Sequence, residues 1–305
     1  MINPLVSVIV PNYNHARYLE QRLDTVFNQT YQNFEVIILD DKSTDNSLEV
    51  INKYQDNPHL AQIVVNEQNT GSPFKQWDKG INLAKGELIW IAESDDYNEL
   101  TFLEELITEW GKHKDVVVAF SNYVLFTDDW ISKSKERSSQ CFNGIKYIKY
   151  RMARSNHLMN ASGVLFDKNA SRKIERDLIN YRNLGDYIFW VRLLECGNLL
   201  KVNKNLTYFR QTAGSVTRVC GQNGIAAKED KIIFDYIESK IALNWWQKRI
   251  AYASKFKQFS VTNFQTNEIR EEVYTLWDKP KNMQKINGFL KWLIGSLERH
   301  ANILI

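Results

Sequence analysis

Apolar residues in the first 120 positions alternate between short continuous runs and longer segments in which they recur every three or four residues. Continuous runs of this length are typical of buried strands, whereas the spaced segments predict helices with one apolar face. The runs occupy residues 6–10, 36–39, 63–65, 88–91 and 116–120. This alternation, with short connections, predicts a βαβ sheet that is covered by helices on both faces.

Four helices are predicted between and after these strands. They are residues 18–28, a helix over about residues 48–54 that Ser43, Thr44 and Asp45 can cap, residues 74–84 with Gly86 as a stop, and residues 100–110. Beyond residue 120 the regular alternation ends, and residues 121–180 allow no confident placement of elements. A helix is then predicted at 186–196, one or two strands at 199–210, and basic helices from about residue 226. We therefore expect an α/β protein with a mostly parallel, Rossmann-like sheet and a mainly helical C-terminal extension.

Two acidic clusters directly follow predicted strands. Asp40 and Asp41 come after the run at 36–39, and the cluster at 93–96 comes after the run at 88–91. In an open parallel sheet the carboxyl ends of the strands share one edge, where ligands bind, so these carboxylates can converge on one site. Such a site suits a phosphate-bearing substrate that is bridged by a metal ion.

Composition narrows the classes of partner. Of 305 residues, 44% are hydrophobic, 25% are charged and 12% are aromatic, which is typical of a folded globular protein. The net charge of +3 is too small to imply nucleic-acid binding, and no nucleic-acid partner is expected.

The expected location follows from the cysteines and the apolar runs. The three cysteines are widely separated and lack metal-binding spacing, which favours a reducing compartment. The N-terminus resembles a strand rather than a signal sequence, and no apolar stretch reaches the roughly 18 residues that a membrane span needs. We expect a cytoplasmic protein that is at most peripheral at the inner face of the membrane.

Four motifs occur together in a fixed order. They are SVIVPNYN at residues 7–14, LDDKSTD at 39–45, AKGE at 84–87 and ESDD at 93–96. In order and spacing they resemble the GT-A domain of family 2 glycosyltransferases. The resemblance covers about residues 5–125 and implies a GT-A domain over residues 1–220, with a donor half at 1–125, an acceptor half at 126–220, and a helical extension at 221–305.

The resemblance also implies the reaction and its cofactor. Members of the family transfer a sugar from a nucleoside diphosphate donor to an acceptor hydroxyl, usually with inversion at the anomeric carbon. A hard divalent cation held by carboxylate oxygens, Mn²⁺ or Mg²⁺, neutralises the departing diphosphate. We expect a UDP-sugar donor and a glycan or lipid-linked acceptor.

By the same resemblance, Glu93, Ser94 and Asp95 stand where the family has its Asp-x-Asp motif. Asp95 is the expected metal ligand, Asp96 lies beside the metal or the sugar, and Glu93, one methylene longer than the usual aspartate, contacts the ribose or the water around the metal. The alternative is a solvated acidic turn that caps the helix near Leu100.

The resemblance places Asp41 at the N3 position of uracil, with Asp40 beside it, and makes Pro11 and Tyr13 a wall of the base pocket. The alternatives are an ordinary turn for the aspartates and core packing for Tyr13. Lys75 follows a loop that passes close to the donor in the family and could meet a phosphate, although an exposed lysine is more often only solvated.

In the second half, Asp186 corresponds to the family's general base, which takes the proton of the acceptor hydroxyl. Gly185 replaces the glutamate that commonly precedes it, and the alternative role for Asp186 is a helix N-cap. Arg210 could pair with the diphosphate, since a guanidinium matches phosphate geometry, or be an ordinary surface residue. Thr212 stands where many members carry a histidine metal ligand.

The basic, aromatic C-terminal helices lie outside the resemblance. They could rest on an anionic membrane that presents a lipid-linked acceptor, but packing within the protein or a homodimer interface is the favoured interpretation. The residues concerned are Trp245, Trp246, Lys248, Arg249, Lys291 and Trp292.

Two other functions are alternatives to sugar transfer. A sugar nucleotidyltransferase would carry a Gly-rich basic loop after its first strand, and residues 11–14 have none. A nucleotide-sugar-binding protein without catalysis is suggested by Glu93 and by Thr212 in place of the histidine.

Overall fold

A computed structural model describes residues 3–127, 129–211 and 216–277. The strands are β1 (Val6–Asn12), β2 (Phe34–Asp40), β3 (Leu60–Val65), β4 (Leu88–Ile91), β5 (Tyr97–Asn98), β6 (Val116–Phe126), β7 (Ile131–Ser132), β8 (Gln140–Phe142), β9 (Val164–Asp167) and β10 (Asn198–Arg210). The α-helices are α1 (Ala16–Phe27), α2 (Ser47–Asn52), α3 (Pro73–Leu83), α4 (Phe102–Trp110), α5 (Gly144–Tyr147), α6 (Lys168–Lys173), α7 (Gly185–Glu195), α8 (Val216–Gln222), α9 (Ile225–Lys240), α10 (Trp245–Val261) and α11 (Asn267–Leu276). A π-helical turn spans Ile148–Met152, and 3₁₀ turns span Ala161–Gly163 and Asp177–Asn180.

The strands form one mixed sheet with the order β3-β2-β1-β4-β9-β6-β10-β5, to which β7 and β8 add at β6 and β10. Strands β1 to β4 are parallel, as the sequence predicts, and β6 is parallel to β10. Strand β9 is antiparallel to both of its neighbours, β4 and β6. The α/β fold with a helical C-terminal region is thereby confirmed.

The central strands are covered on both faces, which explains their continuous apolar runs. Along β1, Val8 and Val10 pack with α1 in one core cluster, whereas Ile9 faces the opposite cluster, against α3. Helix α3 lies so close to the sheet that a Cβ on Gly80 would come within 2.4 Å of the Ile9 side chain. The second cluster also contains α7 and residues of α9, α10 and α11.

The predicted elements of the first 120 residues all occur, with shifted ends. Leu100 lies outside α4 and is exposed, because the helix begins only at Phe102. The predicted strands at 199–210 are one long strand with irregular register near Val202 and Asn205. Strand β9 lies within residues 121–180, where the sequence pattern predicts no element. The division of the chain at residue 220 stays a prediction, and the predicted helix around Trp292 lies outside the described residues.

Candidate active site

The carboxyl ends of β1 and β2 meet in register, with Asn12 opposite Asp40. The fully buried Asp40 carboxylate accepts hydrogen bonds from Asn12 Nδ2 at 2.8 Å and from Ser43 Oγ at 2.6 Å and backbone N at 2.8 Å. Ser43 Oγ in turn accepts from the backbone N of Asn14. Asp40 therefore ties together the turns that leave the two strands, and its direct contact with a donor stays a prediction.

Asp41 organises the loop before α3. Its buried carboxylate accepts hydrogen bonds from Asn66 Nδ2 at 2.6 Å, from Gln76 Nε2 at 2.9 Å, and from the backbone N and Oγ1 of Thr70 at 2.8 to 3.1 Å. A nucleobase that bound at Asp41 would have to share the carboxylate oxygens of Asp41, which already accept hydrogen bonds from the protein. Its role at a nucleobase stays a prediction.

The expected base-pocket wall is split between a buried and an exposed residue. Pro11 is buried in β1, whereas Tyr13 lies just beyond the strand with 44% of its surface exposed. Core packing of Tyr13 is therefore wrong, and its ring is available to a ligand. Lys75 is exposed, and its Nζ lies 3.3 Å from the Thr70 carbonyl oxygen.

The loop at 93–96 follows β4 and is held from several sides. The indole Nε1 of Trp77, on α3, donates to Glu93 Oε1 at 2.7 Å. Arg22, buried in α1, donates from Nε to the Glu93 carbonyl oxygen at 2.8 Å and from a terminal nitrogen to Asn98 Oδ1 at 2.7 Å. Burial, followed by the charge of Asp95, raises the pKa of Glu93 to about 8. The alternative of a freely solvated turn is wrong.

Asp96 is held inside the same loop. Its Oδ2 accepts hydrogen bonds from Asn160 Nδ2 and Ser162 Oγ, both at 2.8 Å, and its Oδ1 accepts from the backbone N of Arg210 at 3.0 Å. Burial and then the charge of Asp95 raise the pKa of Asp96 to about 7. Asp96 therefore fixes the loop against β10 and the turn before β9.

Asp95 differs from both neighbours. Its residue is half-buried, and no described residue donates a hydrogen bond to its carboxylate. In the described ranges, no group of three or more His, Cys, Asp or Glu side chains is arranged to hold a metal ion. Mg²⁺ can nevertheless bind through one protein carboxylate when phosphate oxygens of the substrate and water molecules supply its other ligands. The Asp95 carboxylate can be that ligand. The residues thus fit a metal that binds together with a diphosphate.

Arg210 lies directly against this loop. Its Nε donates to the Asp95 carbonyl oxygen at 3.0 Å and a terminal nitrogen donates to Gln21 Oε1 at 3.1 Å. The guanidinium lies 4.4 Å from the ring centre of Tyr18 and 4.5 Å from that of Phe126. Arg210 is therefore held against the loop and two aromatic rings, and its pairing with a diphosphate stays a prediction. Thr212 lies outside the described residues.

Asp186 is the second residue of α7, and its Oδ2 accepts a hydrogen bond from Asn156 Nδ2 at 2.9 Å. Leu184 occupies the N-cap position and makes no side-chain cap, so the N-cap role for Asp186 is wrong. The backbone N–H groups of residues 182–184 donate instead to the carboxylate of Glu229 on α9. Burial raises the pKa of Asp186 to about 7, a value suited to a base at neutral pH.

Helix α7, which carries Asp186, packs on α3, and α3 in turn contacts the acidic loop. A Cβ on Gly185 would lie 2.7 Å from both the Leu178 carbonyl oxygen and the Phe74 ring, which explains why glycine stands where a glutamate is common. One turn after Asp186, Trp190 packs against Trp77 with ring centres 6.0 Å apart. Trp77 is the residue that donates to Glu93.

Several residues of the site were not identified from the sequence. Asn160 and Ser162 precede β9, and because β9 runs antiparallel, the start of this strand lies at the site edge. These two residues do not follow a strand, so the rule that ligand-binding residues come after strands does not find them. The available signal is that they are polar residues just before the apolar run at 164–166. The others are His15, whose Nδ1 lies 2.7 Å from Ser94 Oγ, and Arg22, Trp77 and Asn156.

The acidic loop and the stacked arginine lie at the edge of a mixed α/β sheet, with a further buried carboxylate on the helix packed beside it, and the fold is of the GT-A type. Residues 7–175 match the family described as "Glycosyl transferase family 2". This match covers more than half of the chain, and the chain therefore belongs to that family and is a glycosyltransferase.

Two relatives and two solved structures give the similarity in detail. The chain is 29% identical over 228 residues to "Glycosyltransferase GlyG" of Streptococcus pneumoniae, covering 71% of this chain and 74% of that protein. It is 31% identical over 216 residues to the Escherichia coli protein "UDP-Glc:alpha-D-GlcNAc-diphosphoundecaprenol beta-1,3-glucosyltransferase WfaP", covering 70% of this chain and 80% of that protein.

Among solved structures, S. aureus TarS in complex with UDP-GlcNAc superposes with a TM-score of 0.67 at 19% identity, over 91% of this chain and 77% of that one. The mannosyltransferase PcManGT from Pyrobaculum calidifontis, in complex with GDP-Man and Mn²⁺, gives 0.58 at 13% identity, over 99% of this chain and 88% of that one. At these identities the likeness is one of fold. Across the described segments, no helix is both long and apolar enough to cross a membrane.

Proposed function

We propose that this glycosyltransferase takes its sugar from a UDP-sugar, with Mn²⁺ or Mg²⁺, and transfers it with inversion to a hydroxyl of a glycan or lipid-linked acceptor in cell-surface polysaccharide biosynthesis. The observation that carries the proposal is the loop at 93–96. There Glu93 and Asp96 are engaged by the chain, while the Asp95 carboxylate accepts no hydrogen bond from the described residues.

The donor is assigned to the edge formed by β1, β2 and β4. Tyr13 offers an exposed ring to the base, Asp41 lies at the base of the neighbouring loop, and Arg210 and Lys75 supply positive charge for the diphosphate. Asp95 and the diphosphate oxygens would hold the cation, which when bound neutralises the charge that develops on the departing diphosphate. The relatives named for UDP-Glc and crystallised with UDP-GlcNAc support uracil, and the one with GDP-Man makes guanine the competing base.

Asp186 is assigned as the general base. Its carboxylate accepts the proton of the acceptor hydroxyl as the hydroxyl oxygen attacks the anomeric carbon from the side opposite the diphosphate. Asn156 donates to one carboxylate oxygen and so fixes the orientation of the group. The packing of Trp190 on Trp77 sets the position of α7 relative to the loop that holds the donor.

Calorimetric titration tests the donor site. UDP is expected to bind in Mg²⁺, to bind at least about tenfold more weakly in EDTA, and to bind more tightly than GDP. Asp95→Asn should remove most of this metal dependence. Asp235→Asn, which changes an exposed aspartate paired with Lys231, is the matched control and should bind UDP as the parent does. Equal binding of UDP with and without metal would contradict the assignment of Asp95.

We further propose that the protein works as a peripheral protein at the inner face of the membrane. Trp245 and Trp246 are 56% and 54% exposed and pack on each other, and Arg249 lies over the Trp245 ring at 4.4 Å. Packing among the described residues thus leaves more than half of each indole exposed, and the favoured interpretation of packing stays untested. Exposed indoles beside cations suit the interface of an anionic bilayer. Lys291 and Trp292 lie outside the described residues.

Vesicles containing phosphatidylglycerol test this surface by co-sedimentation. Trp245→Ala with Trp246→Ala is expected to lower binding severalfold and leave UDP binding unchanged. Phosphatidylcholine vesicles should bind the parent protein weakly. The competing interpretation is that this surface forms a homodimer interface. The membrane assignment would be contradicted if the parent protein did not bind vesicles and if its mass depended on concentration in a way that the double substitution abolished.

A further inference from the structure

A carboxylate of the C-terminal helices holds the turn from which α7 starts. This carboxylate belongs to Glu229, which is half-buried on α9. Its Oε1 accepts a hydrogen bond from the backbone N of Arg182 at 2.5 Å. Its Oε2 accepts from the backbone N of Asn183 at 3.0 Å and of Leu184 at 2.8 Å. Successive backbone N–H groups that converge in a turn bind anions, and here the anion is supplied by the chain itself.

The start of α7 depends on this contact. The helix begins at Gly185, and Leu184 at its N-cap position has no side-chain oxygen that could hold the first turn. The N–H groups at the start of a helix have no partners within the helix and must find them elsewhere. The turn before α7 therefore takes its hydrogen-bond partner from a residue 45 positions after Leu184.

The same turn is also bonded to the loop beside Asp41. The guanidinium of Arg182 donates to the Gly71 carbonyl oxygen. Gly71 follows Thr70, whose backbone N and Oγ1 donate to the Asp41 carboxylate. The turn at 182–184 is thus held by α9 on one side and by the loop before α3 on the other. A turn that is bonded on both sides has little freedom to shift.

The position of this turn sets the position of Asp186, which is the second residue of α7. Asn156 donates to one oxygen of the Asp186 carboxylate and orients it, but this single bond does not determine where the helix starts. Glu229 also acts on Asp186 directly, because burial and then the negative charge of Glu229 raise the pKa of Asp186 to about 7. A misplacement of about 1 Å at a reacting group can cost about 10²-fold in rate.

We propose that Glu229 is a positioning residue for the general base, and that it fixes the turn at 182–184 so that the Asp186 carboxylate meets the acceptor hydroxyl. This role rests on the proposed role of Asp186 as the base. Glu229 itself touches neither substrate and acts through the backbone of the turn. Helix α9 belongs to the predicted extension at 221–305, which thereby contributes to the reaction through its contact with α7.

Turnover is measured as release of UDP from UDP-glucose and from UDP-N-acetylglucosamine in Mn²⁺, with water or an added glycoside as acceptor. Glu229→Gln is nearly isosteric, but it turns one accepting oxygen into a donor that faces the backbone N–H groups. It is expected to lower kcat by about 10- to 100-fold and to leave the KM of the UDP-sugar and the Kd of UDP within twofold. Glu229→Asp keeps the charge but is one methylene shorter, and it should lower kcat as well. Full kcat in either variant would overturn the proposal.

Glu238→Gln is the matched control. Glu238 is also partly buried on α9, but it pairs with Lys248 of α10 at 3.1 Å and not with the turn before α7. The control should keep kcat within twofold of the parent. Equal losses of kcat in Glu238→Gln and Glu229→Gln would mean that α9 acts only through the general stability of the fold, and the proposal would be overturned.

Combination with Asp186→Asn separates positioning of the base from a general structural effect. If Glu229 acts through Asp186, adding Glu229→Gln should lower the residual rate of Asp186→Asn by less than about threefold. An undiminished loss in this background would overturn the proposal. If Asp186→Asn alone leaves kcat unchanged, the proposed function of Asp186 fails, and the role of Glu229 fails with it.

Urea denaturation at pH 8 gives a second readout that needs no turnover and decides the inference even if neither UDP-sugar reacts. Asp186→Asn removes the repulsion between Asp186 and Glu229 at this pH. The upward shift that it causes in the urea midpoint should therefore be smaller when residue 229 is already glutamine. Equal shifts in the two backgrounds would show that the residues are not coupled and would overturn the proposal.

Discussion

At the scale of single residues, Asp186 is subject to two opposing demands. Its proposed role as general base needs the carboxylate ionised, whereas burial favours the neutral acid and raises its pKa to about 7. Replacement by asparagine keeps a group that can accept the Asn156 hydrogen bond and removes the base. The residue can therefore be tested separately for its chemistry and for its effect on folding.

Asp186→Asn is expected to lower the rate of sugar transfer by about 10²- to 10⁴-fold, the usual contribution of a general base, and to leave UDP affinity within twofold. In the parent, transfer should rise as pH passes through about 7 and then level off, because only the ionised carboxylate accepts the proton. Initial rates from pH 5.5 to 8.5 measure both effects. A pH-independent rate in the parent would contradict this role.

The same substitution should stabilise the protein at alkaline pH. The folded-state pKa of Asp186 lies above its ordinary value of 3.8, so its favourable contribution is complete below pH 4 and is lost as pH rises through about 7. At pH 8, Asp186→Asn should raise the free energy of unfolding by roughly 1–3 kcal/mol. At pH 4 the difference should be close to zero. Urea denaturation at both pH values checks this pH dependence, which a purely structural effect of the substitution would not show.

At the scale of elements, the packing of α7 on α3 explains why residue 185 is a glycine. Gly185 leaves no room for a Cβ between the Leu178 carbonyl oxygen and the Phe74 ring. Because Trp190 and Trp77 continue the same contact towards Glu93, a small shift of α7 would disturb both the base and the acidic loop.

Gly185→Ala is expected to lower stability by about 1–3 kcal/mol, the usual effect of overpacking, and to lower transfer as well. Gly221→Ala is the matched control, since nothing lies within 4 Å of a Cβ at that helical position. It should be neutral or slightly stabilising. Chemical denaturation of both variants gives the comparison, and equal effects at the two glycines would refute the packing argument.

The sequence predicts elements well wherever burial on both faces produces continuous apolar runs, as in β1, β2 and β4. It predicts the aspartates of the acidic loop because parallel strands end at the ligand edge. It does not predict Asn160 and Ser162, since their strand, β9, has only four residues and runs in the opposite direction. Trp77 is predicted as a core residue, and its hydrogen bond to Glu93 depends on tertiary packing that local periodicity does not contain.

At the scale of the whole molecule, the C-terminal helices share a core cluster with α7. Lys255 of α10 is almost fully buried, pairs with Asp230 of α9 at 2.5 Å, and lies over the Tyr187 ring at 5.5 Å. Tyr187 follows Asp186 directly, and its hydroxyl donates to the Met152 carbonyl oxygen in the π-helical turn. The C-terminal helices therefore support α7, the helix that carries Asp186.

Lys255→Met is expected to destabilise the protein by about 3 kcal/mol, because Asp230 would remain buried without its partner. Lys257→Met changes an exposed lysine of the same helix and should alter stability by less than about 0.5 kcal/mol. Adding Asp230→Asn to Lys255→Met should recover part of the loss. Thermal unfolding of the three variants tests the pair, and an unchanged Tm in Lys255→Met would contradict it.

The insertion of the late strand β9 between β4 and β6 also has a consequence for biosynthesis. The acidic loop at 93–96 leaves the ribosome early, but Asn160 and Ser162, which hold Asp96, and Arg210, which lies beneath Asp95, are translated much later. A nascent chain that contains only the first 125 residues can pair β1 to β4 and still lacks the contacts that shape the loop. Competence to bind a donor should therefore arise only after β10 has been synthesised.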